Sequence, residues 1–311
     1  MTARGSAACP LCASTTAALV TMGRDRSFGN SGAFAIQQCG ACHVMYLTPR
    51  APIDAVLAYY HGAGDTVSCR LTSGWTRWLE STPFKRRMRR INGEISEFVS
   101  GGTLLDVGCG RGEFLFGMSK YRQWTLRGLE MNPSLAQFVT EMFYVPVLTG
   151  RLDQVLPGSV TYDVITLWDV FEHLSDPDDA LGRLKESLSR DGLLIIKMPN
   201  PESLGASLFG ACWSGWGVPQ HYFTWPPNVF EAFVQKRGLR IVRGRYLYGA
   251  YSDFITSVSF ALHGIFRERV RKLLTRVLSL PPFMIGLSPF MALERALGRP
   301  SSVTYFIQHA E

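Results

Sequence analysis

The segment Leu104–Phe114, LLDVGCGRGEF, constrains the fold more than any other stretch of this chain. An apolar run ending near Asp106 leads into three glycines at alternate positions, Gly108, Gly110 and Gly112, and then into an amphipathic run. A strand that turns through glycines into a helix opens a β-α-β unit, because a backbone without Cβ atoms can bend sharply and let a ligand approach closely. A carboxylate recurs at Glu130, 22 residues beyond Gly108 and at the end of the next apolar run, where it can accept from both hydroxyls of a ribose.

From Thr103 onward, short apolar runs alternate with amphipathic ones. Strands are expected at 103–107, 125–130, 145–148, 162–167, 192–198, 239–247 and 302–308, and helices near 112–121, 133–143, 178–190, 201–210 and 226–237. That order predicts an α/β fold, a seven-stranded, mostly parallel sheet with helices on both faces. Upstream, Phe84, Met88, Ile91, Ile95 and Phe98 recur at helical spacing, within a helical region expected from Pro52 to about Phe98, and Lys85, Arg86, Arg87, Arg89 and Arg90 read as its solvated face. With 46% hydrophobic and 18% charged residues, a disordered chain is excluded, and 7 cysteines in 311 residues exclude a disulfide-dense scaffold. The net charge of +7 falls in separate clusters rather than in a basic stripe interleaved with aromatics, so no nucleic-acid partner is expected. The first residues carry no apolar run of signal-peptide length, which predicts a cytoplasmic protein.

Four of the cysteines form two C-x2-C pairs, Cys9 with Cys12 and Cys39 with Cys42, separated by 26 residues. Two such turns joined by a hairpin supply the four soft ligands of a tetrahedral zinc, and a closed four-cysteine shell predicts a structural metal. A module of this size lacks the apolar surface to fold alone, a deficit that metal binding makes up. His43 is a competing ligand or a second-layer group, and Cys69, Cys109 and Cys212 have no partner motif.

The loop spacing G-x-G-x-G differs from the dinucleotide fingerprint, whose third glycine falls three residues after the second. An acidic Asp106 beside the loop disfavours a phosphate and suits a cationic ligand such as the sulfonium and amino group of S-adenosylmethionine. Here the chain resembles the class I S-adenosylmethionine-dependent methyltransferases, with their Rossmann-like sheet. YDVITLWDVFEHLSDP at 162–177 and RDGLLIIKMPNPES at 190–203 extend the likeness to about residues 100–245. The cysteine module and WSGWGVPQHYFTW at 213–225 resemble bacterial methyltransferases of sugars and cell-envelope precursors. The resemblance implies that Asp106, Gly108, Cys109 and Gly110 line the methionine end, that Glu130 holds the ribose and that Met131 lies against the adenine, with Trp168 and Asp169 at the end of the fourth strand. TGRLDQ departs from the family pattern by placing Arg151 first, so Asp153 or the Leu152 backbone stands in at the adenine amine.

Methyl transfer needs an aligned acceptor and a group to take its proton. His221, Tyr222 and His173 are the candidates, with Glu172 beside them; Tyr222 is the alternative base or an acceptor-positioning group, His221 has a structural alternative in holding the loop to the core, and His173 has one in capping or cofactor contact. Trp213, Trp216, Phe223 and Trp225 are expected either to wall the acceptor site or to fill core beneath a loop. The expected organisation is a zinc-ribbon-like module at 1–48, a helical linker or cap at 49–100, and the methyltransferase domain at 101–311 with a helical insertion at 248–300 before the last strand. Within the insertion, 254–293 combines apolar runs with a basic block, which suits peripheral contact with the inner membrane face or a subdomain packed on the sheet or on a second subunit. The expected reaction is methyl transfer to a hydroxyl or carbon of a small-molecule or lipid-linked sugar or cell-envelope precursor. A quinone-type or natural-product methyltransferase shares every cofactor motif, and a zinc-dependent binding protein with a non-catalytic cofactor fold is the reading from another class.

Overall fold

The computed structural model describes residues 8–26, 32–51, 73–156, 160–246 and 250–310. Cys69, the first part of the helical region expected from Pro52, and the last residue of the strand expected at 239–247 lie outside them. The main sheet contains β4 (Gly102–Val107), β5 (Trp124–Glu130), β6 (Val147–Thr149), β7 (Tyr162–Trp168), β8 (Leu188–Pro199), β10 (Leu239–Arg245) and β11 (Ser302–His309). Its order is β10-β11-β8-β7-β4-β5-β6, with β11 antiparallel to both neighbours and the pairs from β8 to β6 parallel. The chain reverses direction across the sheet between β4 and β7, which opens a crevice beyond the carboxyl ends of those strands.

The central strands are apolar on both faces, as a covered parallel sheet requires. Leu104, Val164, Leu193 and Ile195 face one core layer, while Leu105, Ile165, Leu194 and Ile196 face the other. On the first side lies α2 (Thr82–Ser96), capped by Ser81, which buries Phe84, Met88, Ile91 and Ile95. At about 1.5–3 kcal/mol per fully buried side chain, that stripe holds the helix to the sheet. The shorter α1 (Ser73–Leu79) is tied beyond the glycine loop by the Trp75 indole N–H, which donates to Glu113 at 2.8 Å.

On the other side sits a small antiparallel ribbon, β1 (Ala17–Gly23), β2 (Phe34–Cys39) and β3 (Met45–Thr48), extended by β9 (Phe223–Thr224) from the main domain. Met45 pairs with Thr224 and Tyr46 with Phe223, so the cysteine module and the main domain share a sheet. The tryptophans of 213–225 serve this junction: Trp213 and Trp216 pack edge to face on each other in a cluster with Ile36 and Leu47, and Trp225 packs on Phe171, Phe230 and Phe233. Trp213, Trp216, Phe223 and Trp225 are all buried, so of the two expectations for these rings the core one holds.

The remaining helices are α3 (Glu113–Met118), α4 (Pro133–Phe143), α5 (Leu152–Val155), α6 (Pro177–Glu186), α7 (Leu204–Phe209) and α8 (Pro227–Gln235). The helix expected at 178–190 stops at Glu186 and the strand after it starts at Leu188 rather than 192. The Tyr162 N–H donates to the Ser187 carbonyl at 2.8 Å and Tyr162 pairs with Leu188, ahead of a register shift that leaves the extra residues on β8 before Leu193 pairs with Val164. The insertion folds as four helices, α9 (Ala250–Ala261), α10 (Glu268–Leu278), α11 (Pro281–Gly286) and α12 (Ser288–Ala296).

Candidate active site and metal centre

The glycine loop runs from β4 into α3 with Gly108 at φ 68° and Gly110 at φ 53°, left-handed values that a side chain would strain. A Cβ on Gly108 would strike Val170 at 2.6 Å, whereas a Cβ on Gly110 would meet nothing within 4 Å and would project into open space. Glu130, at the end of β5, braces this turn. Its Oε2 accepts from the Gly110 N–H at 2.8 Å and its Oε1 from the Asn132 N–H at 2.9 Å. Asp106 is buried at the end of β4 and accepts from the Thr166 hydroxyl at 2.6 Å.

Two adjoining cavities of about 300 and 350 Å³ open on either side of this loop and share Gly108, Gly110, Trp168 and Asp169. All ten residues expected to bind cofactor border them: Glu130, Met131, Leu152 and Asp153 the first, Asp106 and Cys109 the second, and the shared four both. Burial pushes Asp106 up to about 7, offset in part by the Thr166 hydroxyl and reinforced by the charge of Glu130. Burial also raises Glu130, against the N–H groups of Asn132 and Gly110. Two buried carboxyls with raised pKa values form an electrostatic hole that a cation fills.

The second cavity also holds residues that the sequence reading set aside. Arg87, read as solvated helix surface, lines it from α2, together with Trp78 and Arg111. The Arg111 guanidinium lies 4.5 Å from the centre of the Trp75 ring, and its Nε and Nη2 are buried with no hydrogen-bond partner among the described residues. Two arginines beside a carboxylate can grip a zwitterion's anionic end while the carboxylate faces its cationic one. At the far end, Arg151 donates to both oxygens of Asp153 at 2.9 and 2.7 Å and holds that carboxyl below its usual range. The departure in TGRLDQ is therefore an ion pair at the cavity wall.

Beyond β7, Asp169 adopts φ 57° and its carboxylate takes both oxygens to the buried Lys197 ammonium, each at 2.6 Å. Glu172, His173 and His221 meet next to it. Glu172 is 1% exposed, and neither of its oxygens has a hydrogen-bond partner among the described residues. The imidazoles pack edge to face with centroids 4.5 Å apart, and each Nδ1 lies against a backbone carbonyl, Gln220 at 3.2 Å for His173 and Gly215 at 2.9 Å for His221. His221 Nε2 then faces Glu172 Oε1 at 4.0 Å. Burial lowers both histidines and raises Glu172 well above the carboxylate range, the last helped by Asp169.

Of the three proton-acceptor candidates, His173 lines the first cavity, and His221 sits behind it, within electrostatic reach of Asp169 and Lys197. Tyr222 does not join them. Its ring is buried toward the ribbon and its hydroxyl donates to the Ala51 carbonyl at 2.9 Å, so it clamps the module to the domain. That contact joins positions 171 residues apart, which local spacing does not show.

Cys9, Cys12, Cys39 and Cys42 bring their sulfurs within 4.8 Å of one another, with contacts of 3.7 Å for Cys9–Cys42 and 3.5 Å for Cys12–Cys39. A disulfide is about 2 Å. A tetrahedron of sulfurs with bonds of about 2.3 Å has edges of roughly 3.8 Å, so the donor set fits zinc. Both knuckles turn through a left-handed residue just after the second cysteine, Ala13 at φ 60° and His43 at φ 59°. His43 is exposed and lies outside the four-sulfur group. Against the raising effect of burial, the N–H groups of Cys42 and Ala41 and the neighbouring thiols bring Cys39 down to about 6, while burial pushes the Cys9 and Cys42 thiols up. Four thiolates ionise together at this spacing when a cation joins them.

The chain is 26% identical over 163 residues to a tRNA U34 carboxymethyltransferase of Campylobacter lari, covering 50% of each chain. It is 31% identical over 105 residues to a mitochondrial ubiquinone biosynthesis O-methyltransferase of Schizosaccharomyces pombe, covering 31% of this chain and 38% of the relative. It thus spans half or less of the length of these curated relatives. Among solved structures, a SAM-dependent methyltransferase from Archaeoglobus fulgidus superposes with a TM-score of 0.48 at 20% identity, over 72% of this chain and 91% of that one. The family described as Methyltransferase domain matches residues 80–243, just over half of the chain and every residue lining the glycine-loop cleft except Trp78, and the chain belongs to it.

Proposed function

We propose that the chain transfers a methyl group from S-adenosylmethionine to a hydroxyl of a small, polyhydroxylated, sugar-type acceptor. The observation that carries the cofactor is the cleft's charge layout. Buried Asp106 and Glu130 suit the ammonium, the sulfonium and the ribose, and Arg111 Nε and Nη2, which have no hydrogen-bond partner among the described residues, suit the methionine carboxylate, with Arg87 nearby. The open space at Gly110 leaves room for the ligand to lie against the loop. When bound, S-adenosylmethionine supplies a methyl already activated on sulfur, which leaves with the sulfur keeping the electron pair. The protein's part is to align the acceptor oxygen and take its proton.

His221 is the proposed proton acceptor. Its Nδ1 is pinned to the Gly215 carbonyl, which fixes the tautomer with an Nε2 lone pair, and burial keeps the ring neutral at neutral pH. His173 is proposed to position it and to touch the cofactor. Toward the insertion, Asp253 from α9, pushed by burial up to about 6, lies within electrostatic reach of Asp169 and Lys197, and Glu294 from α12, pushed by burial up to about 7, lies within reach of Asp253. Carboxyls and an ammonium beside the reacting centre suit several hydroxyls better than an apolar ring. The four cysteines are proposed to hold one structural zinc that fixes the ribbon on which the 213–225 loop rests.

The test is methyl transfer from radiolabelled S-adenosylmethionine to a panel of nucleotide sugars, glycolipids and quinols, with product mass confirmed. Label on a sugar hydroxyl supports the reading. Transfer confined to quinols would remove the sugar assignment, and absence of cofactor binding would remove the methyltransferase one.

A further inference from the structure

We infer that the α10–α11 segment of the insertion is a docking surface for an anionic lipid bilayer. The main domain exposes large apolar residues at scattered positions, whereas the insertion displays them in close succession. Ile265, Leu273, Leu280 and Ile285 are 70%, 60%, 49% and 72% exposed, and Phe283 and Met284 stand beside them. On α10, Val270, Leu273 and Val277 fall at i, i+3 and i+7, one stripe of a helix that has no buried residue. Arg269, Lys272 and Arg276 border that stripe along one flank of the same helix and are exposed. Residues 254–293 contain Arg267, Arg269, Arg271, Lys272 and Arg276 against Glu268, a net +4 out of the chain's +7. Glu268 is itself paired with Lys272 at 2.6 Å.

An apolar stripe bordered by cations is the geometry of a helix lying in the headgroup layer, its apolar side chains among the acyl chains and its basic flank among phosphates. The same charge argues against a second copy as the occupant, because a two-fold contact would set one +4 block against another. No single helix among the described residues is long and apolar enough to cross a membrane. Residues Glu268–Leu278 and Pro282–Ala296 pass that test as a pair but bend by 71° between them, a shape suited to lying on the surface. Because α9 and α12 carry Asp253 and Glu294, docking brings that end of the molecule to the bilayer.

Flotation of the full chain with vesicles of phosphatidylcholine alone or doped with phosphatidylglycerol tests this. Expected is binding to the doped vesicles that salt reverses, with at least tenfold less on phosphatidylcholine. Leu273→Asp combined with Ile285→Asp abolishes flotation while S-adenosylhomocysteine binding stays unchanged, and Arg269→Glu combined with Arg276→Glu reduces it about tenfold. Equal binding to both vesicles, no binding by wild type, or resistance to alkaline carbonate washing overturns the proposal. So does a wild-type dimer in light scattering that the Leu273→Asp, Ile285→Asp protein loses, since the face would then belong to a second copy.

Discussion

The four-cysteine knuckle and the glycine-loop cleft are both built on left-handed turns, yet one closes on itself and the other leaves polar groups facing space. In the knuckle, Ala13 and His43 turn the chain so that four sulfurs face one another at 3.5–4.8 Å. In the cleft, Gly108, Gly110 and Asp169 turn it so that the carboxyls and Arg111 face two cavities. A closed donor set stabilises the fold around it, and an open one stabilises whatever enters. Substitutions in the two regions should therefore separate stability from binding.

The sharpest separation comes from the knuckle. Cys39→Ser is expected to lose zinc, and with it much of the about 10–16 kcal/mol that such a site contributes to folding its module. Metal analysis paired with thermal melting checks this, and a metal-free protein with an unchanged melt would break the comparison. Next is His221→Ala, expected to lower kcat by about 10²–10⁴ while leaving the S-adenosylmethionine Kd and the melting temperature nearly unchanged. A parallel loss of stability would return His221 to a packing role. Asp106→Asn keeps the side-chain volume and removes the charge, and a loss of about 1.5–3 kcal/mol, ten- to a hundredfold in Kd, is expected by calorimetry.

The pH dependence follows from the same carboxyl. With Asp106 raised to about 7 in the free protein, a cationic ligand binds its ionised form, so affinity holds above that pH and falls by up to tenfold per unit as pH drops through it. Asp106→Asn should flatten this profile. His221 is lowered below its ordinary 6.5, so the acid limb of kcat should lie below that value in wild type. The smallest effect is expected at Leu273→Asp, within about 0.5 kcal/mol in a denaturant melt, because the residue is 60% exposed.

How far the sequence led depended on whether a residue's role is set by its neighbours in the chain. Asp106, the glycines and Glu130 act through a local strand-turn-helix unit, and the cysteine pairs through local knuckles, so spacing alone exposed them. β9 has two residues, Phe223 and Thr224, too few to show any period, and its pairing with β3 joins segments more than 170 positions apart. Arg87 sits on a helix face rich in basic residues, and what distinguishes it from Arg86 is the cavity above it. Tyr222 and His221 are adjacent in sequence but serve different layers, which depends on the ribbon docking against the loop.

Titration calorimetry of the full chain with S-adenosylmethionine, S-adenosylhomocysteine and nicotinamide adenine dinucleotide tests the central claim most directly. The account predicts saturable heat with both sulfur ligands, weakened by Asp106→Asn and by Arg111→Ala, and none with the dinucleotide. Heat with the dinucleotide and none with the sulfur ligands would contradict it.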